Sequence, residues 1–304
     1  MFYTTKYMEP LTDFGFKKIF ASEESTVVLK SFLFNLLELE SPIAEISILS
    51  PEQLPGRPGE QIGIYDVYCV DEREQRFIVE MQKKKQNFFT DRLVYYSSFP
   101  ISQQAEKGEW DYELDPIYCL GILDFDLFSD DRFIRHAKLT DTLTGEIYYD
   151  KLTFAIIELR KFHRSLSELE THQDKWIYFL KHLTDFDDIP EELSDAPFQE
   201  AFHIAEMGAL TEAEWYYYEG SLKKMRDDYA VMQTAKQEKR EAIEASYQKG
   251  QEEGRAESKV EGIEEGRQVE KIEIAKKLIQ QRIPIETIIQ ATGLTQGELE
   301  ALIP

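Results

Sequence analysis

Asp66, Glu80 and Gln82 are the residues of this sequence whose types and spacing best suit metal-ion chemistry. They lie in two apolar runs, 61–70 and 76–82, joined by the polar stretch Asp71-Glu72-Arg73-Glu74-Gln75. That pattern predicts a β-hairpin. With the connection centred on Arg73, antiparallel partners have numbers that sum to 146, so Asp66 faces Glu80. Directly opposed residues have Cβ atoms about 4.5–5.5 Å apart, and alternate residues share a face, so Gln82 joins Glu80. The neighbours are apolar: Ile62, Ile64, Tyr65, Val67, Tyr68 and Cys69 on one strand, Phe77, Ile78, Val79 and Met81 on the other. Opposed like charges repel, and a buried unpaired charge is strongly destabilising. A hard divalent cation removes that cost, and magnesium commonly takes one or two carboxylates with water and phosphate. The plainer alternative is a half-exposed face, with each acid solvated or paired to Arg or Lys.

The elements that would position these residues can be read from periodicity. Val28, Leu29, Phe32, Leu33, Leu36 and Leu37 predict a helix capped by Ser22 that runs to Leu39, before Pro42. A short strand follows at 43–49, and the Pro- and Gly-rich segment 51–59 reads as a loop. Residues 88–105 have helical spacing, ended by Lys107-Gly108. Residues 116–125 form a continuous apolar strand, and 133–139 with 151–159 a second hairpin around Thr144-Gly145. The order helix, strand, hairpin, helix, strand predicts an α/β fold with a central mixed sheet flanked by helices.

Four regions are expected. Residues 1–164 form the sheet domain, and 165–235 a helical subdomain. Residues 236–270 form a charged stalk or linker with glycines at a four-residue step, and 271–304 a three-helix tail. Glycine within a helix costs about 1 kcal/mol relative to Ala. Gly250, Gly254, Gly262 and Gly266 would share one face, which suits either a self-paired stalk or a flexible linker. In the tail, Gly293 suits a helix C-terminus, and Thr295 with Glu298 forms a capping box. The spacing of Ile289, Gly293 and Leu299 is that of a helix-turn-helix, but four basic and four acidic residues leave the tail without an electrostatic footprint for DNA. Helical packing or oligomerisation is the favoured role.

The chain of 304 residues carries a formal net charge of -23, which argues against broad contact with nucleic acid. The charge is uneven: residues 1–222 carry -21, while the remainder is nearly neutral. A local basic patch or a bound cation is therefore needed to meet an anion. A hydrophobic fraction of 42% and an aromatic fraction of 12% support a folded core. No secretory leader and no membrane span are expected, which with the apolar cysteines points to the cytoplasm. Cys69 and Cys119 sit in apolar runs as core thiols. The five histidines, 136, 163, 172, 182 and 203, have no second ligand set at metal spacing.

Several segments in this order resemble the PD-(D/E)XK nuclease superfamily, and within it the Rpn family of recombination-promoting nucleases and transposases. They are Thr12-Asp13-Phe14-Gly15-Phe16-Lys17-Lys18-Ile19-Phe20, Tyr65-Asp66-Val67, Phe77-Ile78-Val79-Glu80-Met81-Gln82, Arg92-Leu93-Val94-Tyr95-Tyr96 and Thr140-Asp141-Thr142-Leu143-Thr144-Gly145. The glycine-stepped stalk and the ending 291–299 fit as well, so the resemblance spans nearly the whole chain.

The resemblance implies a restriction-endonuclease-like core and Mg²⁺-dependent hydrolysis of DNA phosphodiesters, with Mn²⁺ as a substitute. It points to recombination, mobile elements or phage defence. Asp66 and Glu80 would bind the metal, with the Met81 backbone carbonyl as a further ligand. Gln82 stands where the general pattern has Lys, which leaves it to orient water without the charge of an ammonium. Tyr65 replaces the proline that usually precedes the aspartate. Asp13 fits an Asp-x-x-Phe-Lys opening as a direct or outer ligand, or else as a turn acid. Glu38 is a weaker candidate for a helical acid. Lys83, Lys84, Lys85 and Arg92 are candidate contacts to DNA phosphate, the ordinary alternatives being a solvated strand exit and an ion pair. The partners expected are DNA and further copies of the chain. The competing reading is a catalytically weak or inactive protein of the same fold that acts as an oligomerising interaction module.

Overall fold

A computed structural model describes residues 5–53, 63–85, 87–105 and 110–302. The expected loop is described only at its start, and Ile62 and Lys107-Gly108 lie outside the described residues. The Thr12 hydroxyl accepts from Gly15 N at 3.0 Å and caps α1 (Asp13–Phe20). Ser22 caps a short 3₁₀ turn at Glu23–Ser25, and α2 (Thr26–Leu36) follows. The single helix expected from Ser22 is thus a turn followed by a shorter helix. It ends before Glu38, which has a φ of 51°.

Then come β1 (Ile46–Ile48), β2 (Glu52–Gln53), β3 (Gly63–Ile64), β4 (Val67–Asp71), β5 (Arg76–Gln82), α3 (Phe89–Gln103), β6 (Ile117–Leu123), β7 (Ile134–Thr140) and β8 (Ile147–Glu158). Six of these strands form one mixed sheet in the order β1-β4-β5-β6-β8-β7. β5, β6 and β8 are parallel, and the other pairings are antiparallel. β8 begins earlier than expected and meets β7 through a register irregularity. β2 and β3 pair separately, so the expected strand 61–70 is divided at Tyr65-Asp66.

Helices cover both faces of the sheet. Phe16, Phe20 and Phe32 of α1 and α2 pack with Trp176 of α4 (His172–His182) and Phe198 of α5 (Ala196–Ile204). This buried cluster continues into Val67, Val79 and Ile122 of the sheet. α3 covers the opposite face, where Phe89 and Leu93 pack with Leu123 and Ile156. The helical residues beyond 164 therefore share the core of the sheet, because their apolar faces close over α1 and α2. Two compact units result, Met1–Arg226 and Asp227–Pro304.

α6 (Glu212–Gln280) is a single helix of 69 residues that includes the whole glycine-stepped segment. No atom lies within 4 Å of a Cβ placed at Gly250, Gly254, Gly262 or Gly266, so these positions are open in the single chain. In the second unit, Ala275 packs with Ile288 of α7 (Ile285–Thr292) and with Leu294 and Leu299, the latter on α8 (Gln296–Glu300). Gly293, at a φ of 71°, and the Thr295–Glu298 capping box end and start these helices as expected. No helix among the described residues is long and apolar enough to cross a membrane.

Candidate functional site

The Asp71 carboxylate sets the hairpin that builds the site. Its Oδ1 accepts from Arg73 N at 3.0 Å and Gln75 N at 2.8 Å, and Oδ2 accepts from the Arg73 guanidinium. The strands then pair Val67 with Val79 and Val70 with Arg76, the register expected from a sum of 146. The ladder stops one residue short of Asp66. The chain bends there, and the Asp66 carboxylate takes the place of a backbone acceptor. Its Oδ2 receives Met81 N at 2.7 Å.

Glu80 sits next to this aspartate and is 5% exposed. The Arg92 guanidinium of α3 donates through Nη2 to Glu80 Oε2 at 3.2 Å and to Gln82 Oε1 at 2.8 Å. Glu80 and Gln82 therefore share a face, as strand alternation requires. The guanidinium also lies over the Phe89 and Tyr96 rings, 5.3 and 5.7 Å from their centroids. Gly121 makes room for this helix. It pairs with Glu80 across the sheet, and a Cβ there would lie 3.1 Å from the Phe89 ring.

Burial pushes the Glu80 carboxyl up to about 8, and the adjacent Asp66 charge adds to the rise. Burial also raises Asp66, against the Met81 N–H and the positive charge of Lys17. Both carboxylates are thus held in an environment short of positive charge. Glu80 Oε1 is buried with no hydrogen-bond partner among the described residues. Such an oxygen is costly unless a cation or donor meets it.

Among the described residues no three His, Cys, Asp or Glu side chains gather into a metal-binding group, so Asp66 and Glu80 stand as a pair. Magnesium needs no more than one or two carboxylates when water and phosphate complete its shell. The pair and its orphaned oxygen fit that requirement.

The remaining candidates divide. Asp13 is held by Lys17 at 2.8 Å, four residues on along α1, so it does not join the pair as a third close ligand. Its charge still reaches Asp66. Arg92, expected as a phosphate contact, is in the site but holds Glu80 and Gln82. This also gives Gln82 a physical role, because a lysine there would repel the guanidinium. Lys83 turns away to Glu9 at 3.4 Å and to the Met225 sulfur at 3.0 Å. Lys84 is half-buried, and exposed Lys85 donates to the Asp126 carbonyl at 3.1 Å. Glu38 lies with Gln173 and His136, so the expectation of a helical acid at the site does not hold. Cys69 and Cys119 are buried thiols whose ionisation is pushed up by burial.

Lys17 was not among the expected site residues, yet its charge acts on both carboxylates. The spacing from Asp13 to Lys17 places both on one helix face and could have revealed it. A family model described as PD-(D/E)XK nuclease family transposase matches residues 10–235. No curated protein and no solved structure matches the chain.

Proposed function

Because this chain belongs to the PD-(D/E)XK nuclease family transposases, we propose that it is a Mg²⁺-dependent DNA endonuclease with Asp66 and Glu80 as its metal-binding carboxylates. The observation that carries this reading is the buried, acid-rich pair itself, with one Glu80 oxygen left without a partner among the described residues. A divalent cation held there, with Mn²⁺ as a substitute, would supply charge neutralisation at the phosphorus and a water of lowered pKa.

The protein's own groups then have distinct tasks. Met81 N–H fixes the Asp66 carboxylate, and the Met81 carbonyl is a further candidate ligand. Arg92 donates to Glu80 and would turn to a phosphate once a cation met that carboxylate. Gln82 anchors Arg92, and its amide would orient the attacking water. Lys17 adds positive charge that acts on both carboxylates. Asp13 is an outer group that holds Lys17. Lys84 and Lys85 would contact the DNA backbone.

The setting we favour is recombination of mobile elements or defence against phage, in the cytoplasm, with further copies of the chain joined through α6 and the tail. The competing reading, a weak or inactive fold member that serves assembly, draws on the hold of Arg92 on Glu80. Incubation of supercoiled plasmid and of single-stranded DNA with the purified chain separates the two. Cleavage with Mg²⁺ or Mn²⁺ that EDTA abolishes supports the nuclease. No cleavage of either substrate with either metal supports the assembly reading.

A further inference from the structure

A cavity of about 430 Å³ opens where β5, β6 and β8 end, lined by Glu9, Lys83, Asp124, Arg160, His163 and Lys181. Leu11 and Leu159 complete the wall. Its size falls within the range of small-ligand sites, roughly 300–1,000 Å³. Its place is informative as well. The carboxyl ends of parallel strands are where open α/β sheets commonly bind ligands. Lys83 directly follows Gln82, and Asp124 N donates to the Gln82 carbonyl at 3.0 Å, so the cavity adjoins the metal-site strand.

The charge in the cavity is unusual for so acidic a chain. Lys83, Arg160 and Lys181 come from three separate segments and outnumber the two carboxylates. Those carboxylates are already engaged: Glu9 with Lys83 at 3.4 Å, and Asp124 with Arg160 at 3.2 Å. Lys181 has no carboxylate within ion-pair distance among the described residues. Its ammonium donates to the Phe162 carbonyl, one of the three bonds it can make. Burial pushes its pKa down, as expected of an ammonium short of compensating charge. With Lys83 and Arg160 already paired, the uncompensated charge is that of Lys181, and an anion with several acceptor oxygens would meet it. A carbonyl-bound ammonium, a guanidinium edge and an imidazole together suit the oxygens of a phosphate.

We propose that this cavity is a phosphate-binding site, formed by Lys181, Arg160 and His163 with Lys83 at its edge. Its occupant as part of a nucleic-acid strand rests on the nuclease reading above. Affinity for inorganic phosphate itself does not.

The test is calorimetric titration of the full chain with inorganic phosphate in EDTA, where no cleavage can occur. One saturable site is expected. Lys181→Gln and Arg160→Gln should each weaken it by about tenfold, the loss of one charged hydrogen bond. Lys30→Gln, remote from the cavity and bonded to the Ala44 carbonyl, should leave it unchanged. Circular dichroism of each variant checks folding, and Arg160 is exposed, so its replacement is structurally mild. Absence of saturable binding, or equal binding by all three variants, would overturn the site.

Competition with short oligonucleotides then identifies the source. Stronger competition by a 5′-phosphorylated strand than by its 5′-hydroxyl form marks a terminal phosphate. Equal competition marks the backbone. Failure of both strands to compete overturns the nucleic-acid occupant. Because metal is absent, a negative result here leaves the Asp66–Glu80 reading standing, and loss of that reading leaves the phosphate titration interpretable.

Discussion

Arg92 Nη2 lies 3.2 Å from Glu80 Oε2, so a cation carried on α3 compensates a carboxylate on the central strand β5. Glu80 is nearly enclosed, while the Arg92 side chain keeps 26% of its exposure. Removal of the arginine should therefore leave a buried charge behind, a change that typically costs about 3–5 kcal/mol when the partner is fully ionised. The loss should depend on pH. Glu80 titrates near 8, so at pH 6 it is largely protonated and needs Arg92 less. Urea unfolding of Arg92→Ala in EDTA should show a larger deficit at pH 9 than at pH 6. An equal deficit at both would argue against the pairing.

A second consequence concerns the protein as a whole. The folded pKa of Glu80 is raised above its unfolded value, so the folded state holds an extra proton between about 4.5 and 8. Stability is then highest below the unfolded pKa and is lost as pH rises through the folded one. The slope is at most about 1.4 kcal/mol per pH unit for one proton. Unfolding free energies measured across this range without metal should fall for wild type relative to Glu80→Gln. Parallel curves for the two proteins would contradict the raised pKa.

Much of this arrangement was legible in the sequence, and the parts that were not share a cause. The register of β4 and β5 follows from a short connection that Asp71 locks locally, so counting residues sufficed. The partner of Arg92 is set by how α3 lies on the sheet, which depends on Gly121, 29 residues further along the chain and on the neighbouring strand β6. Helical periodicity shows that α4 and α5 have an apolar face but not what that face meets. They meet α1 and α2, within the compact unit Met1–Arg226 that also holds the sheet. For 236–270 the glycines left a helical stalk and a flexible linker both open, and the helix runs through them, with i,i+4 pairs such as Lys249–Glu253 along its charged surface.

The metal should compete with the proton and with Arg92. Since Asp66 and Glu80 are both shifted upward, Mg²⁺ binding near neutral pH should release a proton and strengthen as pH rises towards 8. Calorimetry in buffers of different ionisation enthalpy reads that release directly. A binding enthalpy that is the same in every buffer would mean that no proton leaves.

Gly121 offers a test of how the fold places Arg92. A valine there would press on the Phe89 ring and displace the start of α3, at a typical overpacking cost of about 1–3 kcal/mol. Metal affinity should change along with stability, because Arg92 moves with the helix. A Gly121→Val protein with lowered stability and unaltered Mg²⁺ affinity would separate α3 from the site.

Asp66→Asn tests the central claim most directly, since the asparagine carbonyl can still accept from Met81 N while the charge is gone. The measurement is the initial rate of plasmid nicking in Mg²⁺, with wild type, Asp66→Asn and Glu80→Gln at equal concentration. Metal stabilisation of the transition state is worth several kcal/mol, so each variant should be slower by about 100-fold or more while remaining folded. Wild-type nicking that survives either substitution, or that proceeds in EDTA, would place the chemistry elsewhere.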